Sequence, residues 1–321
     1  MAELNYLRIT KALGGTLTQT AGDSPAFGRL ALTRLSAERF RLLNRDDNEK
    51  TIGRELFPEI AAAFEKVRDG HEVDYVIIDP VLSKRFFEEC RRRGVNAPIA
   101  EINKRIQSFR KSGAYGIRLK PTTHESNIAA ERYFYAAEFG YMQLSFEQPV
   151  SIDDIITDPE TGEVFVEHCK AIAPSGSSKA FKWAALCLLK MRSFNKRKVD
   201  NLLAVSPRQI ERQLRDAGTL QGFSSTSIPQ DRGIYTFSER NGSVKYLYVG
   251  WGDDLRKSVE PFANARVFKA MAGPFWNPSP SDIGLSVGVL PKKWFGASPR
   301  DWSLRLVQAR QPLFNIPVEI E

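Results

Sequence analysis

Two tyrosines and two clusters of basic residues are the side chains whose types and spacing point to chemistry. Tyr235 stands in Gly233-Ile234-Tyr235-Thr236-Phe237, and Tyr248 follows thirteen residues later in the run Val244 to Val249. The turn Arg240-Asn241-Gly242 lies between the two runs. Asn-Gly tolerates the positive φ of a tight turn, so the runs are predicted to pair as a β-hairpin with two phenols on neighbouring strands. Such a pair is either ordinary core packing or the start of a site. The basic residues gather between Ser83 and Lys120, where eleven Lys or Arg face three Glu, a net +8 equal to the excess of the whole chain. Cations at that density either match phosphates or form a basic surface that merely solvates the chain. Asn103, Lys104, Arg105 and Lys111 are the candidates to meet base edges or phosphates. A second basic run, Arg192 to Lys198, carries Lys196 and Arg197. It reads equally as a phosphate contact or as a solvated helix end favoured by the macrodipole.

The elements that must hold these residues follow from capping and periodicity. Asp79 as N-cap and Pro80 at the first helical position start a helix that runs to about Arg93 and ends at Gly94. A second helix, Pro98 to Ser112, buries Ile99, Ile102, Ile106 and Phe109 and ends at Gly113. Helix, Gly-containing turn, helix is the arrangement of a helix-turn-helix, whose second helix would enter a major groove. Tyr115 to Leu119 is then a strand or wing. Upstream, Ser36 to Leu43 reads as a short helix, Arg54 to Arg68 as an amphipathic one, and Val73 to Ile78 as a buried strand or the start of a helix. Downstream, Ile128 to Met142 is helical, and its aromatics are expected in the core. The acidic stretch Asp153 to Glu163 lacks calcium-loop spacing and reads as a turn. Pro174 to Ser178 leads into a buried helix, Ala180 to Met191, and its backbone donors form a possible phosphate seat without a P-loop ending. Ser206 and Pro207 start a helix extending to Asp216, and the polar Gly222 to Pro229 marks a domain boundary.

The bulk numbers agree with a multidomain globular protein. The chain has 321 residues, 42% of them hydrophobic, and a net charge of +8. No apolar run approaches the ~20 residues of a membrane span. The first residues lack the basic-then-apolar layout of a signal peptide, so a cytoplasmic location is the default expectation. Cys90, Cys169 and Cys187 are odd in number and widely spaced, as are His71, His124 and His168. They fit neither a disulfide framework nor a zinc site, and no metal ligands can be named from them.

From Ile228 on, the chain resembles the GIY-YIG nuclease superfamily. The residues that carry the resemblance are Gly233-Ile234-Tyr235, Tyr248-Val249-Gly250 and the closing Pro312-Leu313-Phe314-Asn315. The resemblance implies a three-stranded antiparallel sheet flanked by helices. It also implies a phosphodiester-cleaving site of two tyrosines, an arginine on the first helix, a glutamate on a later helix and one divalent metal, with Mg²⁺ the natural ion. Tyr235 and Tyr248 match the two tyrosines. The arginine's position falls on Ser258; Arg256, two residues early, is rotated by about 200° on a helix. The glutamate's position falls on Ser303, with Asp301 two residues away. Phe262 stands where the family often has Tyr or His. Tyr235, Tyr248 and Arg256 are therefore the catalytic candidates, with only the tyrosine half matching. The expected protein is α+β. A mixed region (1–72), a basic helix-turn-helix-like region (73–150) and a helical region with linker (151–227) precede a GIY-YIG-like domain (228–321). Its expected function is binding of duplex DNA, with a degenerate nuclease-like domain. The alternatives are a Mg²⁺-dependent DNA endonuclease of restriction, repair or mobile-element type, and a protein-interaction scaffold.

Overall fold

A computed structural model describes residues 52–117, 130–191, 202–203, 205–240, 245–263, 267–268, 279–312 and 314–316. The expected helix at 36–43, the last two residues of the expected wing (118–119) with Lys120 beside it, the turn residues Asn241 and Gly242, and Lys196 and Arg197 lie outside the described residues. The protein is mixed α and β. Among the described residues helices come first, and a four-stranded antiparallel sheet follows.

Among the described residues the chain opens with α1 (Phe57–Val67), whose face of Ile60, Ala63, Phe64 and Val67 is buried. Val73–Ile78 is a short helix, α2, buried along its whole length. Helix α3 (Pro80–Arg92) starts as its sequence dictates, with the Asp79 carboxylate accepting from the Val81 and Leu82 amides. Helix α4 (Ile99–Ser112) ends at Gly113, whose φ of 70° is the left-handed cap that glycine adopts without strain. α3 packs chiefly on α1 and α2, while α4 packs chiefly on α2 and α6 (Ile152–Thr157). The expected helix-turn-helix therefore exists as two helices and a turn, but each helix is bedded on other elements rather than on its neighbour. The expected wing begins as a single 3-10 turn, Ala114–Gly116.

Helix α5 (Phe134–Glu147) is the central element of the helical region. It packs against α7 (Pro159–Ile172) and α8 (Ser178–Met191). Gly140 permits the close approach to α7, because a Cβ there would overlap the Cys169 side chain. The acidic stretch 153–163 serves as helix caps: Asp154 completes a capping box with Ser151, and Asp158 accepts from the Thr161 amide.

The sheet has strand order β1-β4-β2-β3, with β1 Arg215–Thr219, β2 Gly233–Glu239, β3 Lys245–Gly252 and β4 Ile283–Val289. The predicted hairpin is β2 with β3. The fourth strand, β1, is a correction: the helix expected to reach Asp216 is α9 (Pro207–Glu211), ended after five residues. Pairing with the open edge of β4 outweighs local helix preference in 215–219, and Gly218 at φ 103° accommodates the bulge in that pairing. Because β1 precedes 222–229, that polar stretch is a connection inside the sheet-bearing unit rather than its boundary.

The sheet is covered on both faces. Ile234 and Val249 pack on α11 (Pro299–Arg310), led by the fully buried Trp302. Tyr235, Phe237 and Tyr248 pack toward the helical region, in one continuous core with Phe139, Phe262, Phe268 and Phe314.

Candidate functional site

The two hairpin tyrosines come together on the helical side of the sheet. Tyr235 is registered opposite Gly250, and Phe237 opposite Tyr248. The phenols are thus diagonal neighbours on one face, with ring centroids 6.1 Å apart. Gly250 is required at its position, since a Cβ would overlap the Tyr235 ring. Gly233 is required as well, since a Cβ would strike the Gly288 carbonyl of β4. The two motif glycines are therefore packing constraints that bring strand and phenol close.

The decisive neighbour comes from outside the sheet. Glu138, on α5, is 6% exposed. Its Oε2 accepts the Tyr248 hydroxyl at 2.7 Å. The Asn315 amide nitrogen donates to its two carboxylate oxygens at 3.2 and 3.3 Å. Asn315 is itself clamped to the edge strand β3: its Oδ1 accepts from the Val249 amide at 2.7 Å and its Nδ2 donates to the Val249 carbonyl at 2.9 Å. The Tyr235 ring lies beside that of Tyr248, at a tilt of 42°. Burying a carboxylate is expensive unless donors surround it, and this network supplies them.

The surroundings set the chemistry. Phe262 and Phe139 close on the Tyr248 ring at 5.5 and 5.3 Å. Burial pushes both phenols well above their usual pKa, and the Glu138 charge pushes them further. A phenol that handles protons near neutral pH needs the opposite shift. Beyond the network lies a cleft of about 830 Å³, lined by both regions. Arg132, Lys257 and Arg300 bring cations to it, and Glu131, Asp253, Asp254 and Glu260 bring acids. Burial raises the pKa of Glu131, with the Asp253 charge adding to it and Arg300 opposing.

Arg256 does not join the tyrosines. Its guanidinium donates to the carbonyls of Ile228 and Thr226 at 3.0 and 3.2 Å, tying the connection before β2 to the short helix α10 (Leu255–Val259). Its place in the catalytic set is corrected accordingly, for the facing reason that the helical rotation implied. Ser258 instead donates to the Asp254 carbonyl, and Ser303 to the Arg300 carbonyl. Asp301 is held as the capping-box partner of Ser298. Asn103 is also corrected. It is 3% exposed and donates to the Thr157 carbonyl at 2.9 Å, joining α4 to α6 rather than facing a base. Arg105 lies over the Phe57 ring, 4.5 Å from its centroid, and Lys111 pairs with Asp153 at 3.6 Å. Lys104 is exposed. Much of the basic excess is met by acids within the fold: Arg85 by Asp69, Arg92 by Glu89, Arg93 by Glu59 and Glu89, and Arg110 by the buried Asp74.

The divalent ion that the resemblance implies does not fit the residues present. Among the described residues no group of three or more His, Cys, Asp or Glu is placed to hold one. The carboxylate nearest the tyrosines already faces the donor hydrogens of Tyr248 and Asn315, which would repel a cation. Glu138 was not singled out from the sequence. Its signal was present: a lone acid within AAEFG, in a helix apolar on most sides, is a residue type rarely buried without a partner. Comparison with protein-family models, curated proteins and solved structures finds no match to the chain.

Proposed function

We propose that this chain is a DNA-binding protein whose C-terminal unit keeps the framework of a GIY-YIG nuclease without its hydrolytic site. The observation that carries this reading is the Glu138 carboxylate seated on Tyr248 and Asn315, in a buried aromatic setting that raises the pKa of both phenols. Serines stand at the positions that would bear the arginine and the glutamate, and Arg256 is committed to backbone carbonyls. Binding is supported by the net charge of +8 and by the exposed Lys84, Arg91 and Lys104 on α3 and α4. Cations spread over a surface contribute affinity through counterion release, which needs no catalytic centre.

The test is direct. Plasmid DNA incubated with the protein and Mg²⁺ or Mn²⁺ is expected to remain intact. Fluorescence anisotropy with a labelled duplex should show binding that weakens as salt rises. Lys84→Ala with Lys104→Ala is expected to reduce the slope of log K against log salt by about 2, one for each cation withdrawn from a phosphate. Cleavage that Tyr235→Phe abolishes would overturn the degenerate-site reading and establish the endonuclease alternative. An affinity indifferent to salt and to both substitutions would leave the protein-interaction scaffold.

A further inference from the structure

The donors around Glu138 are fixed without it. Asn315 is clamped in both directions by Val249, so its amino group is aimed before any acceptor arrives. The Phe314 amide donates to the Leu247 carbonyl at 2.9 Å and anchors the same segment along the edge of β3. Tyr248 stands on β3 with its ring packed by Phe262 and by the Tyr235 ring beside it. The Asn315 N–H and the Tyr248 ring that carries the hydroxyl are therefore placed on the sheet side by contacts other than Glu138. The anion they meet arrives on a separate helix, 110 residues from Tyr248 and 177 from Asn315 in sequence. The same carboxylate lines the wall of the cleft that holds Arg132, Lys257 and Arg300.

We infer that the Tyr248 hydroxyl and the Asn315 amide form an anion seat, and that Glu138 fills it as an internal stand-in for the phosphate oxygens of a ligand entering the cleft. This deepens the DNA-binding reading and rests on it for the choice of phosphate. A carboxylate and a phosphate present the same pair of acceptor oxygens to such donors, and neither requires a metal for this interaction. In the closed arrangement α5 occupies the seat. A phosphate-bearing strand reaches it only in competition with Glu138.

The experiment empties the seat. Thermal melting is measured for wild type, Glu138→Ala and Glu138→Gln in chloride, in inorganic phosphate and in acetate at equal ionic strength. Glu138→Ala is expected to melt roughly 5 °C lower in chloride. Phosphate should recover most of that loss, while wild type and the isosteric Glu138→Gln should not respond specifically. Adding Tyr248→Phe to Glu138→Ala should abolish the recovery, which a general salt effect would survive. If Glu138→Ala does not fold in chloride, refolding yield with and without phosphate gives the same readout. Failure of phosphate to restore either melting or yield overturns the anion seat, and recovery by acetate alone overturns its assignment to phosphate. Duplex binding by wild type is scored separately. Phosphate recovery without duplex binding would sustain the seat and overturn the DNA reading, and the converse would overturn the seat alone.

Discussion

At the scale of the residue, the informative side chain is Glu138. A buried carboxylate persists only where its acceptors are met, and here Tyr248 and Asn315, both far from it in sequence, meet them. Removing one donor exposes the cost. Tyr248→Phe keeps the ring and its packing but withdraws the 2.7 Å hydrogen bond, so urea unfolding should show a loss of about 1–3 kcal/mol. The phenols also give a pH prediction. Both are raised in the fold by burial first and by the Glu138 charge second, against an ordinary value of 10.0. Their contribution to stability is complete below that value and is lost as pH rises past it, because the unfolded phenols ionise first. Absorbance titration should therefore show two tyrosines that ionise only when the alkaline protein unfolds. Free ionisation of every tyrosine near pH 10 in folded protein would contradict the burial.

At the scale of the element, the hairpin β2–β3 and the helix α5 matter most. Gly250 lets β3 lie against the Tyr235 phenol, so Gly250→Ala should cost about 1–3 kcal/mol by overpacking, read as a lower urea midpoint with unchanged m. A second strap joins α9 to α11. Glu211 accepts from Arg310 at 2.6 and 2.9 Å and from the Tyr246 hydroxyl at 3.0 Å. Burial pushes the Glu211 carboxyl up, but the hydrogen bonds to Arg310 and Tyr246 outweigh it and leave it below the ordinary 4.5. The resulting stability is fully present above that value and drains away as pH falls through the lower, folded one. Arg310→Met should flatten this acid-side slope in melting curves taken between neutral pH and the onset of acid unfolding. A slope unchanged by the substitution would show that the strap contributes nothing.

At the scale of the whole molecule, the helical region and the sheet share one core. Phe139 of α5 stacks on Phe314 at 5.0 Å and touches Tyr248, Phe262 and Phe268. Truncating it should loosen both regions together. Phe139→Ala is expected to cost about 3–5 kcal/mol. Single-Trp variants retaining Trp183 in the helices or Trp302 behind the sheet should report the same shifted midpoint. Separated midpoints would show two independently stable units.

Much of the local structure was legible in the residues themselves. Asp79-Pro80, Gly113, Ser206-Pro207 and the alternating runs around Tyr235 and Tyr248 specify starts, stops and strands through short-range sterics and capping. The pairing of the two phenols followed from the hairpin, since strand register acts over a few residues. Other features depended on partners distant in sequence. Residues 215–219 became a strand only because β4 offered an open edge. Asn103 turned inward because α6 placed the Thr157 carbonyl beside it, and much of the basic excess was matched by acids far along the chain. Most of all, no spacing within the hairpin could announce that its phenols would meet a carboxylate 110 residues upstream. Sequence by itself determined the tyrosine pair; tertiary structure decided what the pair faces, because a buried charge and its donors are matched only when separate elements pack.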